Sequence, residues 1–460
     1  MGIQRQSSRF GGSYKSGWTR GMAAAVAVLI ISTMIVGACS RAGAPGDNKK
    51  GKAPEPEVEF TEARLVKVDA DKLVDRERLS ALSKDFSAYV YVVNENGKHR
   101  VKVNDQDWGI YEKVLLIGVN TRTHEPLCVV EENGNQRVCA GRSCGQEFKK
   151  VRSIALSLDS YRLAYIGTET GTVSSNDYLV VDGDKIGPYP DIDNYAFSPD
   201  GSQIAAKVTH EDRWKVLHNG KLSDGYFWVS APVFNPSNNV LAYAANKKNG
   251  QQEDLHVVVG NERGRNFDSI GPPVFSPSGR SVAYLAGDLK GRFVVRNTEP
   301  GKRFTELMYG PVWSSGNERL GYVAKVKEEN YPFKEYYFVV IDDREYGPYQ
   351  DVLPSIVFSR DGRHFMAGVS NQKGELRMLV DGDLKGSYAK IASYFFTDDQ
   401  SERVYIAAEK DEGGIYIGDQ RLNVAIPQAP IAYQFSKDGK KMAYVKDENG
   451  EVWRRILALR

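Results

Sequence analysis

Four groups of residues in this chain have types and spacings that could do chemistry. Gly141-Arg142-Ser143-Cys144-Gly145 has the spacing of a hydrolase nucleophile elbow. That motif places the serine on a sharp turn between a strand and a helix, with an acid and a histidine further along. Here no helical pattern follows, and the surroundings read as small hairpins, so the match is read as coincidence. The six histidines (His99, His124, His210, His218, His256, His364) are scattered, and no pair has the short spacing of metal ligands. Asp182-Gly183-Asp184 and Asp381-Gly382-Asp383 hint at calcium, but the dense acidic loop ending in a bidentate glutamate is missing. Both triplets fall where a hairpin turn is expected. No catalytic, cofactor or metal residue is assigned from the sequence.

The fourth group is the cysteines. Cys39 follows an apolar stretch, and Cys128, Cys139 and Cys144 cluster further on. If Asn133-Gly134 is a two-residue hairpin turn, counting outward places Cys128 opposite Cys139. That pair is the expected disulfide of an exported chain. Cys139–Cys144 and Cys128–Cys144 remain open, and one thiol is left over in each case.

The elements that must carry these residues come from a repeated phrase. Phe197-Ser198-Pro199-Asp200-Gly201 returns as Phe275-Ser276-Pro277-Ser278-Gly279, Phe358-Ser359-Arg360-Asp361-Gly362 and Phe435-Ser436-Lys437-Asp438-Gly439. Weaker copies sit at Leu156, Phe234, Trp313 and Phe396. Ser-Pro-Asp-Gly suits a type I turn, and the aromatic before it closes a strand. Alternating runs such as Val282-Ala283-Tyr284-Leu285 follow as a second, tightly packed strand. A third strand ends in Asp-Gly or Asn-Gly, as at Asp182-Gly183, and Gly187-Pro188-Tyr189 leads on to the next copy. Four short strands per ~40 residues is one blade of a β-propeller. Many of the 25 tyrosines fall at the Ala-Tyr and Pro-Tyr positions of the repeat, which marks them first as packing residues.

The fold expected is therefore all-β, with about eight blades favoured and seven to ten possible. Residues 154–457 hold the clear repeats, and 82–150 read as degenerate first units. A helix over 70–85, capped near Asp69-Ala70-Asp71, is the competing reading of the stretch before them. The last unit shows only three strands. The β-prone segment 58–68 is expected to supply the fourth and close the ring, since an unpaired edge invites aggregation. Features specific to this protein should lie where copies differ, including 115–150, the stretch Lys325–Tyr337 expected as a long loop, and the faces of the ring.

The first 20 residues carry Arg5, Arg9, Lys15 and Arg20 and no acid, and Gly21 to Ala38 is uncharged and mostly apolar. This is the layout of a secretory signal. Its ending, Ile35-Val36-Gly37-Ala38-Cys39, resembles the bacterial lipoprotein signal, which implies residues 1–38 as signal peptide and lipid on Cys39. Ser40, in place of Asp, fits sorting to the outer membrane. An uncleaved anchor and cleavage after Ala38 are the plainer alternatives. Residues 39–57 read as a solvated tether and 58–460 as the propeller. Loss of 1–38 takes the basic count from 61 to 57 against 59 acidic residues, a net charge near −2. With no basic stripe interleaved with aromatics, nucleic-acid binding has no support.

The aromatic-Ser-Pro-Asp-Gly turn followed by an Ala-Tyr strand resembles the repeat of the periplasmic TolB family of WD-like propellers, over roughly 154–445. The resemblance implies a protein-binding propeller of the cell envelope. It departs from that family in its Asp-Gly…Gly-Pro-Tyr phrase and in lacking an evident N-terminal α/β domain. The function expected is a lipid-anchored periplasmic module that binds or scaffolds envelope proteins, without a cofactor and attached to the membrane through Cys39. The alternative is an envelope enzyme acting on glycan or peptide, with its site in the propeller channel. Converging carboxylates in the channel would favour the enzyme; aromatic and neutral polar groups would favour binding.

Overall fold

The structure, a computed structural model, describes residues 63–67 and 72–458. Excepted are 76–78, 84–86, 159–160, 172–174, 248–253, 317, 329–333, 372, 397–402, 410–411, 419, 423–431, 436–440 and 449–450. The signal segment, Cys39, the tether and residues 58–62 lie outside the described residues.

Among the described residues ten antiparallel sheets follow one another along the chain, the first nine meanders whose strands run in sequence order. Sheet one runs from Ser80–Leu82 through Tyr89–Glu95 and Lys98–Val103 to Gln106–Tyr111, and sheet two from Lys113–Val119 through Pro126–Glu132 and Asn135–Ala140 to Ser143–Cys144. Residues 82–150 thus hold complete four-stranded sheets although the turn phrase is absent there. The helix considered for 70–85 is replaced by a bridge from Leu73 to Val93 and the strand Ser80–Leu82. In sheets five and six the first strand is broken in two, as Trp228–Val229 with Val233–Phe234, and Ser269–Ile270 with Val274–Phe275. Sheet ten takes its fourth strand from the other end of the chain. Ala63–Lys67 pairs antiparallel with Glu451–Ala458, Ala63 opposite Arg454 and Lys67 opposite Glu451. Of the stretch Lys325–Tyr337, the two ends belong to the paired strands Leu320–Lys327 and Glu335–Ile341, with Lys325 opposite Tyr337.

The core lies between sheets. Val90, Val92 and Val101 of sheet one pack with Val114, Ile117 and Val130 of sheet two, and further clusters join each successive pair up to sheets eight and nine. Another cluster joins Ala443 and Val452 of sheet ten, with Leu65 and Val66, to Tyr89 and Tyr91 of sheet one. Sheets stacked face to face in this order form a β-propeller.

One aromatic pair recurs at these seams. The tyrosine of a second strand meets, edge to face, an aromatic 17 or 18 residues earlier: Phe148–Tyr165, Tyr226–Tyr243, Phe267–Tyr284, Phe304–Tyr322 and Tyr388–Tyr405, with ring centroids 5.6–6.1 Å apart. The geometry suits the quadrupoles of the two rings and adds ~0.5–1.5 kcal/mol per pair to the area buried. These second-strand tyrosines are 2–7% exposed, so their first role is packing at the seams.

Candidate functional site

The repeated phrase is employed in holding its own blade and in tying it to its neighbours. The serine hydroxyl accepts the N–H five residues on, as in Ser198–Gln203 (2.9 Å), Ser314–Arg319 (2.9 Å) and Ser359–His364 (2.9 Å). These serines are fully buried. The Gly201 N–H closes the turn on the Ser198 carbonyl at 2.9 Å, with Gly201 at φ 71°. The Asp-Gly and Asn-Gly phrases are equally local. Asp182 Oδ1 accepts the Leu163 N–H (2.9 Å), Asn297 the Val282 N–H (3.0 Å), Asp342 the Leu320 N–H (2.9 Å) and Asp381 the Phe365 N–H (2.8 Å). Each of these four has φ between 48° and 56°, the left-handed region that Asn and Asp tolerate. The Asp-Gly-Asp triplets are hairpin turns.

Gly141-Arg142 is likewise a hairpin turn, with Ser143 and Cys144 on a two-residue exposed strand. The disulfide joins Cys139 to Cys144, and Cys128 is a free, buried thiol. The counted register is nonetheless present, with Cys128 opposite Cys139. The bridge goes instead to Cys144, which the tight turn at Gly141 places opposite Cys139 on the other side. The histidines stay apart: His99, His218 and His256 are each held below the ordinary imidazole value, chiefly by burial.

Two features that the sequence did not reveal link one sheet to the next. On the first strands, aromatic side chains donate to the preceding first strand: Tyr195 to the Ser153 carbonyl, Trp313 to Val274 (3.0 Å) and Tyr394 to Ser355 (2.6 Å). First strands are therefore close neighbours, as expected for strands lining a propeller's channel. At the turns, Arg162 binds Asp182 of its own sheet (2.8 Å) and the Gly201 carbonyl of the next (2.9 Å). Arg319 does the same with Asp342 (2.7 Å) and the carbonyls of Gly362 and Arg363. Asn235 donates to Gly279 (2.7 Å), Asn239 to Asp200 (2.6 Å), and Ser276 and Ser278 to Glu318. Sheets three to eight are thus tied turn to turn. Only a spacing near 40 residues could have suggested these pairs.

The exposed groups of the first strands are the natural candidates for contact with a ligand. Leu116, Val274, Met308, Tyr309 and Val312 are 36–47% exposed, and Ser153, Asn194, Ser355 and Ala392 are also exposed. Several carboxylates near the starts of these strands are matched by cations: Asp193 by Lys207 (2.8 Å), Glu306 by Lys325 (3.4 Å) and Asp191 by Arg152 (3.3 Å). Burial keeps Asp191 above the ordinary carboxylate value despite Arg152. A separate polar groove of about 570 Å³ lies at sheet five, lined by Asp224, Tyr226, Tyr243, Asp254, His256 and Arg263 among others. Its charges are matched too, Lys247 with Asp224 (2.9 Å) and Arg263 with Asp254. His256 Nδ1 donates to the Asp254 carbonyl at 3.0 Å. The groove offers paired hydrogen-bonding groups without a nucleophile held against a base. Among the described residues no helix is long and apolar enough to cross a membrane.

No family model and no curated protein matches the chain. Among solved structures, the chain is similar to a eukaryotic initiation factor at 11% identity and TM-score 0.43, over 74% of this chain and 96% of that one. The Dos1 propeller matches at 10% and 0.33, over 87% and 95%. TolB from Acinetobacter baumannii matches at 13% and 0.28, over 63% and 80%. With every one of these TM-scores below 0.5, the architecture rests on this chain's own sheets.

Proposed function

We infer that this chain is a lipid-anchored β-propeller of the bacterial cell envelope that binds or scaffolds protein partners, tethered through Cys39 and facing the periplasm from the outer membrane. The observation that carries this reading is the chemistry of the first strands. Many of their solvent-facing groups are aliphatic, aromatic and neutral polar. Of the carboxylates on or beside them, Asp191, Asp193 and Glu306 are paired with Lys or Arg, while Asp351 accepts the Val352 N–H. Such a lining favours contact with a protein surface, where aromatic and methionine side chains are enriched. A hydrolytic channel would instead need at least two carboxylates left free to share proton transfer. The signal-like segment at 1–38 and the Ile-Val-Gly-Ala-Cys ending support the address.

Cross-linking and affinity capture from intact envelopes test the reading, with Cys39→Ala as the unanchored control. A specific protein partner is expected, captured by the anchored chain and lost with Met308→Asp on the exposed part of a first strand. Absence of any specific partner, together with turnover of a glycan or peptide library, would overturn it.

A further inference from the structure

The three cysteines of sheet two lie in a single transverse row. Cys128 on Pro126–Glu132 is directly opposite Cys139 on Asn135–Ala140, and Cys139 is directly opposite Cys144 on Ser143–Cys144. Directly opposed residues of antiparallel strands project from the same face, with Cβ atoms about 4.5–5.5 Å apart. The central sulfur therefore has a cysteine on each side. The surroundings of the three differ. Cys128 and Cys139 are 1% and 0% exposed and pack among the valines of sheet one, whereas Cys144 is exposed at the outer edge. The bridge occupies the outer pair, Cys139–Cys144, and leaves the innermost thiol reduced.

We propose that Cys128, Cys139 and Cys144 form a thiol–disulfide relay, in which the bridge passes from Cys139–Cys144 to Cys128–Cys139 and sets free an exposed thiol at Cys144. The step is an internal exchange. The Cys128 thiol gives its proton to solvent, the thiolate attacks Cys139 Sγ, the Cys128–Cys139 bond forms, and the Cys139–Cys144 bond breaks. Its electron pair leaves on Cys144 Sγ, which is protonated from water. One disulfide and one thiol are present before and after, so no oxidant or reductant is consumed. The product hides the bridge between strands and puts the reactive sulfur on a two-residue edge strand, where it can accept an alkylating reagent or exchange with another disulfide.

The resting arrangement is held by the environment of the attacking group. Burial pushes the Cys128 thiol up to about 12, so little thiolate forms at neutral pH. Because the thiolate is the nucleophile, release of Cys144 should accelerate about tenfold per pH unit below that value. This separates the relay from simple exposure of Cys128 by unfolding, which would label Cys128 itself.

The test uses the folded full chain, incubated with iodoacetamide at pH 7 and at pH 9, then digested without reduction and mapped by mass spectrometry. The relay predicts alkyl label on Cys144, a Cys128–Cys139 linked peptide, and about 100-fold faster labelling at the higher pH. Cys128→Ser should abolish labelling of Cys144. Cys144→Ser, incubated with glutathione disulfide as oxidant, should carry a Cys128–Cys139 bridge, glutathione being released as the reduced thiol. Label confined to Cys128 with Cys139–Cys144 intact would overturn the proposal, as would no label on Cys144 at pH 9. A Cys144→Ser chain with both remaining thiols free would overturn it as well, and that measurement does not depend on the behaviour of the Cys128 variant.

Discussion

Ser198 shows why the repeated phrase is conserved within the chain in form rather than in surface chemistry. Its hydroxyl donates to Asp200 Oδ1 at 2.6 Å and accepts the Gln203 N–H at 2.9 Å, and the side chain is fully buried. Those bonds hold Asp200 well below the usual carboxylate range, with the Ser198 bond the largest cause and the Ser202 contacts next. An aspartate so engaged is unavailable as a general acid near neutrality. Replacing Ser198 with alanine leaves a buried N–H without its acceptor, which should cost about 1–3 kcal/mol. Thermal melting of Ser198→Ala would show this as a lowered midpoint; an unchanged midpoint would mean that the turn does not depend on the hydroxyl. At this scale the sequence was informative, because a turn is decided by four or five adjacent residues. The cysteines were less legible. The Cys128–Cys139 register followed from Asn133-Gly134, but the choice of bridge depended on a second turn at Gly141, whose effect on pairing was not visible locally.

At the scale of the element, strand existence was readable and the number of sheets was not. Phe-Ser-x-Asp-Gly announces each first strand where it occurs, yet sheets one and two lack it and form nonetheless. There, alternation such as Tyr89-Val90-Tyr91-Val92 and the turns at Asn96-Gly97 and Asn133-Gly134 do the same work. The strand Ala63–Lys67 is a further case. The three-stranded last unit and the β-prone run at 58–68 pointed to its partner, but its register against Glu451–Ala458 depends on a long-range pairing that no local pattern encodes. Leu65 and Val66 are buried against sheets ten and one, so removing residues 58–68 should expose that seam and free the edge of Glu451–Ala458. The expected result is a lower melting temperature for the whole chain and a gain in aggregation by light scattering. Unchanged melting would show that the strand contributes nothing to the fold.

For the whole molecule, acid should be destabilising through histidines placed in three different sheets. His99, His218 and His256 are held below the ordinary value chiefly by burial. The unfolded chain, with histidines near ~6.5, therefore takes up protons before the folded chain does. Their contribution to stability is complete above that value and declines as pH falls from there toward the lower folded values. Thermal melts between pH 7.5 and 5 should show a falling midpoint, with a shallower fall in His256→Asn. A midpoint independent of pH over that window would refute the assignment. What the sequence could not show at this scale is how the units are joined, because the joining residues are about 40 positions apart and belong to no shared local motif.

The turn-to-turn ties have a direction. Arg162 reaches forward to Gly201, Asn235 to Gly279 and Arg319 to Gly362, so at those borders one unit brings the donor and the next presents the carbonyl, whereas Asn239 reaches back to the Asp200 carboxylate. The tie from sheet six to sheet seven has the same forward bond, from Arg296 to the Glu318 carbonyl, and adds Ser276 and Ser278 donating to the Glu318 carboxylate. Units of this chain are consequently coded at both ends, like tiles whose edges fit only certain neighbours. Transplanting the 192–222 unit into the place of 269–300 would preserve four good strands and offer Asn235 the Gly201 carbonyl, yet would set Asp200 in place of Ser278 against the Glu318 carboxylate. Shuffling experiments on this protein should therefore move pairs of adjoining units together and cut where no such tie crosses.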